Sequence, residues 1–283
     1  MTDLTGMPDE VAAHAAVFAG LERACVALRG SDEPTRPGSS RMFGAPDLPP
    51  GAAWPVDDAG APLPFAFQVN LTDVAEQFPG RVPLPERSGL LQFFTTFVAG
   101  DGGDWADGEF GPDGGANRVL LRRELTGLAP VEPPVASAGD ARELRLEAAV
   151  DLPNILELQL ERPGYAAAYD LLVDDDDLAE AYSDWNDGGR LQVGGYPSWL
   201  QDAGYATAVM QERGLYYADL YDGSGQEVDP ALVEELRREG ARWGLVLQTP
   251  SLVGDDGTFY FLAPPDGTGR FDLDRVRFVY QCT

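Results

Sequence analysis

The sequence predicts a mainly β protein with added helices (α+β), one body built from two related β-units. Three observations carry this reading. First, large apolar residues alternate with small or polar ones in Phe65-Ala66-Phe67-Gln68-Val69-Asn70-Leu71, and Gly89-Leu90-Leu91-Gln92-Phe93-Phe94-Thr95-Thr96-Phe97 follows as a second strand. Second, this pair has a counterpart near the other end of the chain. Leu247-Gln248-Thr249 is followed by Gly257-Thr258-Phe259-Tyr260-Phe261-Leu262, so each half offers a strand with a central Gln, a polar loop, then Gly and an aromatic strand. Third, 283 residues at 44% hydrophobic content suffice for a large core without a disulfide or metal staple.

The elements follow in order. Val11, Ala15, Phe18, Leu21, Cys25 and Leu28 recur at helical spacing, which predicts an amphipathic helix over residues 8–29 with Pro8 in its first turn and Gly30 at its stop. Residues 1–35 are thus expected as an N-terminal helix packed on a body of residues 36–283, whose two similar halves span about 36–130 and 141–283. Ser31 to Pro64 is rich in Pro, Gly and Asp and reads as a long loop. After the two strands and an Asp/Gly loop (Gly100 to Gly115), a third strand is expected from Arg118 to Glu124, and residues 128–140 form a linker. Beyond it come a strand near Arg142 to Ala149, a helical stretch broken once between Tyr165 and Asn186, and a strand pair at Tyr205 to Met210 and Leu215 to Tyr221. A helix from Pro230 to Glu239 has Asp229 as its N-cap and Gly240 as its stop. Strands at Trp243 to Thr249, Thr258 to Ala263 and Val276 to Gln281 end the chain.

Charge sets the class of partner. Forty-seven acidic residues face 20 basic ones, all Arg, for a formal net charge of -27. A GC-rich genome replaces Lys with Arg, and salt adaptation enriches Asp, so the acidity has explanations other than function. Its field repels nucleic acid and anionic membranes and attracts a basic protein partner. No apolar stretch is long enough to span a bilayer. The N-terminal region carries Asp3, Asp9 and Glu10 before its first basic residue, Arg23, which is the wrong charge for a secretion signal. A cytoplasmic location with reduced Cys25 and Cys282 is therefore expected.

Motifs for chemistry are sparse. His14 is the only histidine and falls on the apolar side of the expected helix, and neither cysteine lies in a metal-binding cluster. No metal and no cofactor are expected. The Gly-rich stretch from Gly100 carries Asp where a phosphate loop needs Lys. Carboxylates cluster at Asp101 to Asp113, at Asp174 to Asp177, and at Asp255-Asp256 with Asp266, Asp272 and Asp274, without the spacing of a calcium loop. The remaining candidates are one carboxylate, aromatics and amides: Asp47, Trp54, Tyr196 and Trp199 in or beside loops, with Gln68, Asn70, Gln92, Gln201 and Gln248 on or near strands. A buried Gln must satisfy its amide, so these positions read either as clasps on neighbouring loop backbone or as the lining of a ligand or peptide groove.

Several segments together resemble the YwqG-like family of bacterial proteins. These are Phe43-Gly44-Ala45-Pro46-Asp47-Leu48-Pro49 leading to Trp54-Pro55, the Leu63 to Leu71 strand, and Leu84-Pro85 leading to Gly89. Later come Gly194-Gly195-Tyr196-Pro197 with Gln201, and Trp243 to Gln248 before Gly257 to Phe261. The resemblance implies a roll-like, internally duplicated β fold with peripheral helices. It implies no settled activity, and an immunity-type role follows only by association. The leading expectation is a non-enzymatic acidic binding protein that sequesters a partner, with Asp47, Trp54, Tyr196 and Trp199 as contacts. The alternative is a carboxylate-based enzyme using a divalent cation. A third reading is an acidic structural or stress protein without a specific ligand.

Overall fold

The computed structural model describes residues 7–96, 117–136, 139–186, 190–215, 227, 229–250 and 257–282. Its N-terminal segment departs from the single helix that the spacing predicts. Two one-turn helices, α1 (Asp9–Ala12) and α2 (Ala15–Phe18), give way at Gly20, whose φ of 99° is left-handed. From Arg23 the chain is a strand, β1 (Arg23–Ser31). The apolar run Ala24 to Leu28 misleads because β1 is covered on both faces. A strand buried that way loses its alternation and cannot be told from helix by period alone.

The first half continues with β2 (Arg41–Met42), β3 (Asp47–Leu48), β4 (Phe65–Asn70), helix α3 (Leu71–Gln77), β5 (Leu90–Thr95) and β6 (Asn117–Arg122). Asn70 ends β4 and starts α3, its side chain accepting the Asp73 N–H at 3.1 Å. The expected linker is partly folded: β7 (Ala129–Pro130) pairs with β3. The second half holds β8 (Arg142–Asp151), α4 (Ile155–Leu158), α5 (Tyr165–Val173), α6 (Asp176–Asn186), β9 (Gln192–Gly194), α7 (Tyr205–Glu212), α8 (Pro230–Gly240), β10 (Gly244–Pro250), β11 (Thr258–Ala263) and β12 (Arg277–Gln281). Tyr205 to Met210, expected as a strand, is helix: Tyr205, Ala208 and Val209 are buried at helical spacing. Most of its expected partner, Leu215 to Tyr221, lies outside the described residues. Asp229 caps α8 as expected, accepting from the N–H groups of Ala231 and Leu232.

Ten strands form one antiparallel, nearly closed sheet in the order β12-β11-β10-β9-β1-β8-β2-β4-β5-β6. The order is symmetric about its centre. Read outward from β1–β8, the first half runs β2, β4, β5, β6 on one side and the second runs β9, β10, β11, β12 on the other. Each half's first strand is crossed over: β1 pairs with β9, and β8 pairs with β2. β1 and β8 themselves pair over nine residues, from Arg23↔Asp151 to Ser31↔Glu143. β4 and β10 match in detail. Each carries a bulge just before its Gln, between Phe65 and Phe67 and between Leu245 and Leu247.

The interior of the sheet is filled by both halves. Phe93 of β5 meets Phe261 and Phe259 of β11 at ring-centroid distances of 5.1 and 5.7 Å and Phe278 of β12 at 4.9 Å, while Phe67 meets Phe261 at 5.6 Å. The outer face is covered too, so β4, β5 and β11 are buried on both sides rather than half-buried. Loop 36–64 covers the first half, where Leu48 and Leu63 pack on Phe65 and Phe94. Helices α7 and α8 with Trp199 cover the second. Helices α1, α2, α4, α5 and α6 gather around Phe18, Tyr165 and Tyr182 as a third apolar cluster.

Truncating Phe93 removes the ring that joins the two halves inside the sheet. Phe93→Ala should lower unfolding free energy by about 3–5 kcal/mol in urea titration, whereas Val173→Ala on the exposed side of α5 should change it by less than about 0.5 kcal/mol.

Candidate functional site

The predicted polar and aromatic positions assemble into two separate networks, one on the outer face of each half. In the first, Gln68 projects from β4 with no solvent exposure. Its amide nitrogen donates to Ser39 O at 2.8 Å and to Asp47 Oδ2 at 2.6 Å, and its oxygen accepts the Asp47 N–H at 3.0 Å. Gln92, its register partner on β5, donates to Asp47 O at 2.9 Å. Asn70 donates to Gly38 O at 2.8 Å. The Asp47 carboxylate also accepts the Gly38 N–H at 2.7 Å and forms a buried ion pair with Arg41 of β2. Beside it, Glu143 of β8 accepts from Ser39 Oγ at 2.6 Å. Trp54 is half-buried and pins the rest of the loop, donating to Leu63 O at 2.9 Å with its ring edge-on to Phe94.

The second network holds segment 195–204. Gln248 of β10 repeats the role of Gln68: its oxygen accepts the Ser198 N–H at 2.9 Å and its nitrogen donates to Ser198 Oγ at 3.1 Å. Gln281 of β12 accepts the Leu200 N–H at 2.9 Å and donates to Asp202 O at 2.9 Å. Gln201 is exposed and donates to Cys282 O at 2.8 Å. Tyr196 hangs between two anchors, its N–H on Asp151 Oδ2 at 2.7 Å and its hydroxyl on Leu21 O at 2.7 Å, with the Arg23 guanidinium 4.0 Å from the ring centroid. Gly195 must be glycine here. Its φ is +82°, and a Cβ would lie 2.6 Å from Asp151 Oδ2.

Two buried carboxylates anchor this side, and sequence reasoning missed both. Asp151, the last residue of β8, takes Gln192 Nε2 at 2.7 Å and Arg190 at 3.0 Å besides the Tyr196 N–H. Glu157 of α4 is fully buried. It accepts Trp199 Nε1 at 2.8 Å and pairs with Arg162 at 3.0 Å, and the hydroxyls of Tyr165 and Tyr205 stand at 3.3 and 3.4 Å. A lone Asp at a strand end and a Glu in a one-turn helix carry no local signal. Arg41, Gln192 and Gln281 were missed for the same reason.

Asp47, Tyr196 and Trp199 were expected as contacts for a partner. They are instead buried, at 0, 4 and 2% exposure: Asp47 and Tyr196 tie irregular segments to the sheet, and Trp199 bonds Glu157 of α4. The amides of Gln68, Asn70, Gln92 and Gln248 act as clasps on loop backbone. Asp47 Oδ1 is the exception, buried without a hydrogen-bond partner among the described residues. Burial also pushes the thiol of Cys25 up to about 12, helped by the neighbouring Asp151 charge, so it stays a protonated core residue. His14 is half-buried at the N-terminus of α2.

The acidic clusters are surface features where they are described. Asp175 caps α6 by accepting the Leu178 N–H, Asp266 organises its own turn, and Asp274 pairs with Arg123. Asp101 to Asp113 and Asp255-Asp256 lie outside the described residues. Among the described residues no group of three or more His, Cys, Asp or Glu side chains is placed to hold a metal, and no helix is long and apolar enough to cross a membrane.

A family model for a domain of unknown function (DUF1963) matches residues 40–282, and the chain belongs to that family. The match spans both networks and begins after β1. No curated protein matches the chain.

Burial is the main reason that the carboxyls of Asp151 and Glu157 sit above the usual carboxylate range, with Arg190 and Arg162 pulling them back. The folded state then binds these protons more tightly than the unfolded chain. Their contribution to stability is fully present below the ordinary carboxylate range and is lost as pH rises through the raised values. Melting temperature should therefore climb as pH is lowered from neutrality toward the carboxylate range, and Asp151→Asn, which removes one titration, should flatten that climb.

Proposed function

We propose that this protein is a non-enzymatic binding protein that captures a cationic protein partner, and that helices α5 and α6 form the capture face. One observation carries the reading. Asp170, Asp174, Asp175, Asp176, Asp177, Glu180 and Asp184 are all exposed along this helical pair, no basic residue occurs from Tyr165 to Asn186, and the half-buried rings of Tyr169 and Trp185 sit among them. None of the seven makes an ion pair among the described residues, in contrast to the acids of α8, where Glu234, Glu235 and Glu239 all meet arginine. Uncompensated like charges on one face destabilise the fold slightly and steer an oppositely charged protein at long range. Recessed aromatics supply the short-range contact.

The burial of Asp47, Asp151 and Glu157 argues in the same direction. Arginine, backbone N–H and side-chain amides occupy most of their oxygens. Among the described residues Asp47 Oδ1 is buried without a hydrogen-bond partner, and these three carboxylates do not share one open site. The resemblance to the YwqG-like family fits a bacterial protein of this kind, and an immunity-type role is its narrower form. The symmetric strand order, the matched bulges and the matched Gln68 and Gln248 clasps support descent of the two halves from one duplicated unit.

The test is affinity capture of the tagged full chain from its host at low and moderate salt, with mass spectrometry of what is retained. A basic protein should be held at moderate salt by the parent and lost by Asp174→Asn/Asp176→Asn/Asp177→Asn, a variant whose folding is checked by circular dichroism. Retention of the same protein by that variant, or capture of nothing reproducible, contradicts the reading.

A further inference from the structure

At the far end of the second half the charge pattern inverts. The C-terminal ends of α7 and α8, the Pro264-Pro265 turn after β11 and a 3-10 turn (Leu273–Arg275) enclose a cleft of about 330 Å³. Four arginines line it, Arg213, Arg238, Arg242 and Arg275, against two glutamates, Glu235 and Glu239. In a chain with net charge -27 a concave surface lined by more arginine than glutamate departs from the average, with Glu212 and Glu234 pairing Arg275 and Arg238 just outside the lining. Distant carboxylates matter little there, since their field decays over about 8 Å at physiological ionic strength.

The four arginines are not equivalent. Arg213 is held by Glu235 at 2.8 Å and by Glu239, and Arg275 by Glu212. These pairs fix two guanidiniums at the rim, and because each guanidinium has five N–H donors, donors remain for a ligand. Arg242 makes no ion pair among the described residues, and Arg238 has only an exposed contact with Glu234 at 3.5 Å. Favourable placement of cations at the end of a helix accounts for Arg238. It accounts also for Arg213, the C-cap of α7, but not for Arg275, on a three-residue turn, or for Arg242, which lies past the end of α8. Trp243, itself buried, and the two prolines give the cleft an apolar wall.

We propose that this cleft binds a small polyanion through its phosphate or carboxylate groups, with Arg238 and Arg242 as the recruiting cations and Arg213 and Arg275 as pre-oriented ones. Planar guanidiniums match the oxygens of such groups by paired hydrogen bonds. The volume lies at the small end of ligand sites, which suits a compact anion rather than a nucleic acid strand or a folded partner.

Isothermal titration of the full chain with inorganic pyrophosphate, and separately with citrate, at matched ionic strength tests this. Saturable one-to-one binding of at least one probe is expected, weakened by about tenfold or more in Arg238→Ala/Arg242→Ala. Both side chains are exposed, so the variant should keep the parent's circular dichroism and melting temperature. Binding of pyrophosphate alone assigns the cleft to phosphate ligands, and binding of citrate alone to carboxylates. Absence of saturable binding for both probes, or equal binding by the double variant, overturns the proposal.

Discussion

The pairing of β1 with β8 is the constraint on which the rest of the structure depends. Nine residue pairs join the first strand of one half to the first strand of the other at the centre of the sheet. On its far side each strand then pairs with the other half's second strand, β1 with β9 and β8 with β2. Neither half can complete its own side of the sheet without its partner's first strand. The aromatic interior adds a second tie, because Phe67 and Phe93 are closed over by Phe259, Phe261 and Phe278. The halves are consequently one cooperative body although their strand orders mirror each other.

A nearly closed sheet with an apolar interior still has an outer face, and here that face is polar at its middle. Gln68, Gln92, Gln192, Gln248 and Gln281 project into it and are buried. Each such amide is costly in an apolar setting unless bonded. The chain meets the requirement with irregular segments, 36–48 on one side and 195–204 on the other, whose backbone groups have no ladder of their own. Loop and strand thus satisfy each other. Ion pairs such as Arg41 with Asp47 add little net stability, since desolvating two charges offsets much of their attraction. Long loops of this kind are often functional; these hold the sheet's outer face, and the surfaces proposed for function lie elsewhere, on the acids of α5 and α6 and in the arginine-lined cleft.

Much of this was legible in the sequence. The alternation in Phe65 to Leu71, the aromatic strands around Phe93 and Phe259, the Asp229 cap of α8 and the recurrence of a central Gln all came from short-range pattern, and all are local properties of a strand or helix. What was not legible depends on tertiary neighbours. Cys25 and Leu28 fit a helical spacing, yet burial on both faces makes them strand. Tyr205 to Met210 reads in the sequence as one strand of a pair, while its burial follows helical period. Asp151 and Glu157 became important only because Tyr196, Trp199 and two arginines, Arg190 and the nearby Arg162, converge on them. Asp47, Tyr196 and Trp199 were singled out for their residue type, but residue type does not distinguish a side chain that reaches outward from one that holds a loop inward.

Native-state hydrogen exchange on the full chain tests the central claim most directly, with amides followed individually in β1, β8, β4 and β10. Opening of the crossed β1–β8 centre should require global unfolding, so slowly exchanging amides in all four strands should share one free energy and one denaturant dependence. If the amides of β4 or β10 exchange through a separate, lower-energy opening while β1 and β8 stay protected, the halves are independent units and the account is contradicted.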